Sequence, residues 1–96
     1  RGLATRAWHA GNTPTARIDW LFRAATARRP TPSERQLLLA RLQDSLEHFA
    51  RTPGAAAKLL AVGAAPVDKS IASEPLAALT VIASIVLNLD EVLTKP

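Results

Sequence analysis

The two histidines are the residues of this sequence best suited to acid–base or metal chemistry. Neither His9 nor His48 has a second ligand at helical spacing, and a metal site needs several converging ligands. We interpret His48 as an ordinary residue at the boundary of the core. His9 lies near the start of the given sequence, so preceding residues of a longer chain could complete a site there.

Other catalytic patterns are also missing. Asp90 and Glu91 are adjacent, but neighbours on a helix point about 100° apart and do not form a paired acid and base. The serines have no nucleophile-elbow context, and four glycines form no phosphate loop. With no cysteine, thiol chemistry and covalently attached haem are excluded. The sequence therefore predicts a chain that is not an enzyme and holds no metal or cofactor.

The net charge of +4 comes mostly from arginines in the first half of the chain. The densest group is Arg17, Arg23, Arg28 and Arg29, with Trp8 and Trp20 nearby in sequence. Arginines can bind phosphates while a tryptophan stacks on a base, so this group is the candidate anion or nucleic-acid contact. The simpler interpretation is solvated arginines and a core tryptophan. We favour it because no recognised nucleic-acid motif accompanies the arginines.

Three Thr-Pro pairs predict the helix starts. Threonine suits the N-cap and proline suits the first helical position, and the pairs stand at Thr13-Pro14, Thr31-Pro32 and Thr52-Pro53. The second pair also begins a capping box, since Glu34 can reach back to the Thr31 amide.

Helices are predicted at about Pro14–Ala27, Pro32–Arg51 and Pro53–Val62, and a last one begins near Ser73 to Pro75. Because acids are unfavourable at a helix C-terminus, we expect a kink or restart near Asn88, with a continuous helix to Thr94 as the alternative. Leu3 to Ala10 has the length for a short N-terminal helix ended by Gly11-Asn12, and Ala64 to Ser73 is predicted to be a loop.

Apolar stripes predict the core. The first helix presents Ile18, Leu21, Phe22 and Ala25 inward and pairs Asp19 with Arg23 outside. The last helix is apolar almost all round, which is typical of the centre of a bundle. Its longest apolar run, Leu76 to Leu87, is too short to span a membrane. The central residues are predicted to be Leu38, Leu42, Leu46, Phe49, Ile82, Val86 and Leu89.

These patterns together predict an all-α fold: a compact bundle of four principal helices with a short N-terminal helix. The chain is expected to form a single domain over residues 1–96, with its core in 14–94. It contains no methionine, so we expect it to be a fragment of a larger protein.

Several ordered segments resemble a known family. They are Arg17–Arg23, the Arg29–Arg35 segment RPTPSER, the alanine-rich Pro53–Gly63 segment, Ala77–Thr80 and the ending Leu87–Thr94. This series is similar to the C-terminal end of the planctomycete-specific domain of unknown function that accompanies planctomycete-type cytochrome c domains. Ala27 departs from similar sequences, in which a glycine usually precedes the Arg-Pro turn.

The resemblance implies a C-terminal module of an exported bacterial protein in the cell envelope or periplasm, and it supplies no catalytic residues. We therefore expect a non-catalytic structural or protein-interaction module whose partner is another domain of its parent chain or another protein. The alternative is a basic helical domain that binds nucleic acid through Arg17, Arg23, Arg28 and Arg29.

Overall fold

Helices account for the secondary structure throughout the described residues. The computed structural model describes residues 2–62 and 71–94, and the side chains of 3–61 and 71–88. The helices are α1 (Gly2–Ala10), α2 (Pro14–Thr26), α3 (Pro32–Arg51), α4 (Ala55–Val62) and α5 (Ser73–Thr94). This part of the chain contains no strand. The all-α prediction is confirmed, and the short N-terminal helix is present as α1.

Two of the three Thr-Pro pairs begin helices as predicted. The Thr13 hydroxyl accepts a hydrogen bond from the Ala16 amide at 3.1 Å and caps α2. Thr31 caps α3 through a complete capping box, because its hydroxyl accepts from the Glu34 amide at 3.2 Å and the Glu34 carboxylate accepts from the Thr31 amide at 2.8 Å. Both helix starts are thus determined by local sequence.

The third pair does not begin a helix, and that prediction is wrong. Thr52 is the C-cap of α3, and its carbonyl accepts from the Ala55 amide at 3.1 Å. Pro53 and Gly54 occupy the turn between Thr52 and Ala55, with Gly54 at φ +84°. Proline followed by glycine of positive φ is the pattern of a type II turn. The Pro-Gly dipeptide therefore reverses the chain here, and α4 starts at Ala55.

Helix α5 is the centre of the bundle, as its all-round apolar surface predicted. It contacts each of the other four helices. Buried alanines at Ala77, Ala78 and Ala83 let neighbouring helices approach closely, while Leu79, Ile82 and Val86 fill the space between them. The domain is thus assembled around its last helix.

The restart predicted near Asn88 is wrong, and the alternative of a continuous helix is confirmed, because α5 extends from Ser73 to Thr94. An acidic residue near a helix C-terminus costs only about 0.3–1 kcal/mol, which is too little to outweigh the backbone hydrogen bond that each further helical residue adds. The side chains of Asp90 and Glu91 lie outside the described ones. Within the described residues, no helix is long and apolar enough to cross a membrane.

The predicted core is largely confirmed. Leu38, Leu42, Phe49, Ile82 and Val86 are buried, and Leu46 packs against them with partial exposure. The side chain of Leu89 and the Ala64–Ser70 part of the predicted loop lie outside the described residues.

Helix α1 also belongs to the core, which extends it beyond the predicted 14–94. Its Ala4 and Ala7 side chains are fully buried where α1 packs on α2 and α5. The chain then turns at Gly11 so tightly that a Cβ there would lie 2.6 Å from that of Ala16. Glycine is therefore required at this corner.

Ala27 ends α2 in a left-handed conformation, with φ 63° and ψ 17°. A residue with a Cβ is strained in this region by about 1–2 kcal/mol, whereas glycine is not. Glycine also gives the unfolded chain more conformational entropy, which offsets about 0.4–1 kcal/mol of the stability gained by relieving the strain. We expect Ala27→Gly to raise the free energy of unfolding by about 0.5–1 kcal/mol, measured by urea denaturation.

The matched control is Ala24→Gly, an exposed site inside the same helix. Glycine in a helix interior costs about 1 kcal/mol relative to alanine, so the two substitutions should have opposite signs. Equal destabilisation by both would show that Ala27 is not strained.

Candidate functional site

Arg17 fastens α1 to α2. Its guanidinium carbon lies 3.6 Å from the centroid of the Trp8 ring. Its Nε donates to the carbonyl oxygens of Trp8 at 3.2 Å and Gly11 at 2.9 Å. These carbonyls are at the negative C-terminal end of α1, which a cation stabilises. Arg17 therefore already has an intramolecular role.

Arg28 is also engaged within the fold. Its Nη1 and Nη2 donate to the two carboxylate oxygens of Glu34, each at 2.9 Å, and Nη1 also donates to the Arg29 carbonyl at 3.2 Å. The guanidinium lies 4.8 Å from the centroid of the Phe22 ring. This paired, planar arrangement is the strong form of an arginine–carboxylate contact. It holds the turn after α2 against the start of α3.

Arg23 and Arg29 are the two members of the candidate group whose side chains make no described contact with another residue, and both residues are exposed. Within the described residues neither forms an ion pair. The predicted Asp19–Arg23 pair is wrong, because the Asp19 carboxylate accepts instead from Arg35 Nε at 2.9 Å and Nη2 at 3.2 Å. Arg35 comes from the adjacent α3, where its planar guanidinium meets both carboxylate oxygens.

The four arginines are not gathered at one place. Arg17 is near the start of α2 and Arg28 is just beyond its end, and the helical part between them, from Arg17 to Thr26, alone spans about 14 Å at 1.5 Å per residue. Arg17 contacts α1, and Arg28 contacts the first turn of α3. The side chains of Arg17 and Arg28 therefore have partners within the fold, whereas those of Arg23 and Arg29 have none among the described contacts.

The contacts of Glu34 make the stability of the domain depend on pH. The hydrogen bond from Arg28 and then that from the Thr31 amide lower the pKa of the Glu34 carboxyl to about 2. The charged form is favoured by folding, so its contribution is complete above the ordinary pKa of about 4.5 and is lost as the pH falls towards 2.

We therefore expect Glu34→Gln to cost about 1 kcal/mol at pH 7, the size of a surface pair together with part of a cap. The difference from the unsubstituted chain should shrink as the pH falls towards 2, as measured by urea denaturation at a series of pH values. Glu47→Gln is the control, because the Glu47–Arg51 contact is long at 3.8 Å and exposed. A pH-independent effect at Glu34 would contradict the assignment.

The two histidines lie on different helices. His9 is exposed in the last turn of α1. His48 is exposed on α3 and meets the Phe49 ring edge-on, with the ring centroids 5.2 Å apart. Among the described residues, no group of three or more histidine or acidic side chains could hold a metal ion.

An apolar groove is a feature of the structure that the sequence did not reveal. It has a volume of about 790 Å³ and lies between α3, α4 and α5. Its floor is formed by side chains that are buried or partly exposed, and these are Phe49, Ala55, Leu59, Val81 and Ile85. Leu37 stands at its edge with 48% of its surface exposed. A groove with such a lining suits an apolar side chain or helix face of another protein.

The edge of the groove is a stripe of exposed residues on α3, which we call the α3 stripe: Leu37, Arg41, Asp44 and His48. Leu37 is an apolar residue that falls outside the buried Leu38, Leu42 and Phe49 face. This position of Leu37 beside the core stripe was the feature of the sequence that could have indicated the groove.

Comparisons of the chain with protein-family models, with curated proteins and with solved structures found no match. The resemblance to the planctomycete-specific domain therefore stays a prediction.

Proposed function

We propose that this domain is a non-catalytic interaction module that binds a protein partner through the groove between α3, α4 and α5. The observation that supports this is the exposure of Leu37 beside an apolar groove lined by three helices. An exposed apolar surface with a polar rim is typical of a protein-interaction site. A partner helix with an apolar face has the shape and chemistry for it.

The rim chemistry supports a protein partner over a small molecule. Arg41, Asp44 and His48 border the apolar floor along one side, and such rim charges orient a partner more than they strengthen its binding. The groove is open to solvent, whereas sites for small molecules enclose most of their ligand.

A photoreactive amino acid at position 37 tests the proposal. We expect ultraviolet crosslinking in a bacterial lysate to join this position to a defined protein, identified by mass spectrometry. The crosslink should persist after nuclease treatment and at high salt, because apolar contacts are not weakened by salt.

The matched control is the same photoreactive residue at position 43, which is exposed on α3 but is not part of the groove. Equal crosslinking from positions 37 and 43 would indicate random collisions and would contradict a site in the groove. Loss of the position 37 crosslink in Leu59→Lys, which places a charge in the groove floor, would support it.

Nucleic-acid binding is the alternative, and it rests on Arg23 and Arg29 at the C-terminal end of α2. Two of the four candidate arginines already have intramolecular partners, so this alternative has less support. It predicts binding that weakens steeply with salt and is lost in Arg23→Glu with Arg29→Glu. Replacing Arg28 would also break its pair with Glu34, so that substitution is a poor test of nucleic-acid binding.

We further propose, from the sequence resemblance, that the chain is the C-terminal part of the planctomycete-specific domain of a larger exported protein. A position in the cell envelope or periplasm belongs to the same proposal. In that setting α2 to α5 are the four principal helices of one domain and α1 is the short addition. The partner is then another domain of the parent chain or a separate protein.

A further inference from the structure

We infer that the occupant of the groove is a second copy of this chain, bound through an antiparallel pair of α3 helices. The inference rests on the proposed interaction function and specifies its partner. It is carried by the arrangement of charge and apolar surface along the α3 stripe, whose four residues are spaced four, three and four positions apart. That spacing places them along one line of the helix surface.

The α3 stripe is complementary to itself. A two-fold axis level with the midpoint between Leu42 and Gln43 brings Arg41 opposite Asp44 of the second copy, and Asp44 opposite its Arg41. The interface would therefore contain two opposite-charge pairs from one kind of contact, as symmetric dimers require. Within the described residues neither Arg41 nor Asp44 has an ion-pair partner, and both side chains are exposed.

The same axis places Leu37 opposite His48 of the second copy. His48 adjoins the Phe49 ring, which forms part of the apolar groove floor. Each exposed Leu37 then covers apolar surface in the other copy while the charge pairs set the register. Parallel pairing would place like residues opposite each other, including Arg41 against Arg41, and is disfavoured.

Charge reversal tests this arrangement. We expect the chain to dimerise with increasing concentration in sedimentation equilibrium experiments at physiological salt. The Arg41→Glu substitution puts an acidic side chain against Asp44 of the other copy, and Asp44→Arg puts a second guanidinium against Arg41. Each variant alone should dimerise at least about tenfold more weakly, because like charges face each other twice. Arg6→Glu, an equal charge change at an exposed site on α1, should have no such effect.

Mixing the two variants gives the decisive result. An equimolar mixture of Arg41→Glu and Asp44→Arg can form a heterodimer in which one of the two contacts joins the two introduced charges and the other joins the two original ones. Both contacts then have opposite charges, so the heterodimer should form with affinity close to that of the unsubstituted chain. Recovery of dimerisation also shows that neither variant is misfolded. A dimer that is insensitive to both reversals would overturn the assigned contact.

A chain that remains monomeric up to a concentration of about 1 mM would overturn self-association. The position 37 crosslink separates that failure from failure of the proposed function. A product with twice the mass of the chain supports the dimer, whereas a product with a different protein supports the proposed function and excludes a second copy as the occupant. Absence of both products would overturn both.

Discussion

Replacing Ile82 with alanine is expected to lower the free energy of unfolding by about 2–5 kcal/mol, a large part of the stability of a domain of this size. Ile82 is fully buried in α5, the helix that contacts all four others. Removing its side chain loses apolar burial and leaves a cavity that close-packed neighbours cannot fill completely. Urea denaturation followed by circular dichroism measures the loss.

Ile85→Ala is the matched control. Ile85 belongs to the same helix but is partly exposed, and it lines the groove. We expect a cost of about 1 kcal/mol, because less surface is removed from contact and water already reaches the site. Equal costs at both positions would contradict the difference in burial between Ile82 and Ile85. Crosslinking from position 37 should instead be weakened by Ile85→Ala, since Ile85 is part of the groove floor.

The sequence was sufficient for those elements that depend on neighbouring residues. The Thr13 and Thr31 caps are contacts within three positions along the chain. The buried stripe of α3 follows helical periodicity, which is also local. Even the central position of α5 could be predicted, because a helix that is apolar on every face has to be covered on every face.

The errors arise where two local rules compete or where distant residues meet. Thr52-Pro53 satisfies the rule for helix starts, but Pro53-Gly54 also satisfies the rule for a type II turn, and the turn occurs. Asp19 is well spaced for Arg23 on its own helix, but it binds Arg35 from the adjacent α3. A planar guanidinium can contact both oxygens of a carboxylate, and its approach depends on helix packing that the sequence pattern does not contain.

The groove could not be predicted for the same reason. Its floor combines residues from three helices, and each of them also fits a core stripe or its margin. Only the packing shows which apolar residues remain uncovered. Leu37 was visible in the sequence as an apolar residue beside the core stripe, but a single exposed leucine is common on protein surfaces. Its meaning comes from the groove next to it.

The arginines show how structure changes the interpretation of a charge cluster. Arg17, Arg23, Arg28 and Arg29 share a basic segment of the sequence, but Arg17 and Arg28 connect neighbouring elements. A basic sequence can thus reflect the need to hold short helices together. The test of this interpretation is whether removing one arginine disturbs structure as well as charge.

Arg17→Ala is accordingly expected to destabilise the domain by about 2 kcal/mol. The substitution removes a charged hydrogen-bond donor from two carbonyl oxygens, and a charged hydrogen bond typically contributes about 1.5–3 kcal/mol. It also removes a cation from the face of the Trp8 ring, a contact that typically contributes about 0.5–1 kcal/mol. Urea denaturation measures the total loss. The loss should be concentrated in α1, whose amides should exchange hydrogen faster, because Arg17 joins the end of that helix to α2.

Arg23→Ala is the control for this substitution, since Arg23 is exposed on the same helix and should change stability by less than about 0.5 kcal/mol. Equal, small effects at both positions would mean that Arg17 is a surface charge, and would return it to the candidates for phosphate binding. Selective loosening of α1 would instead establish Arg17 as a structural residue. An anion site built from the candidate arginines would then have to rely on Arg23 and Arg29, because Arg28 is held by Glu34.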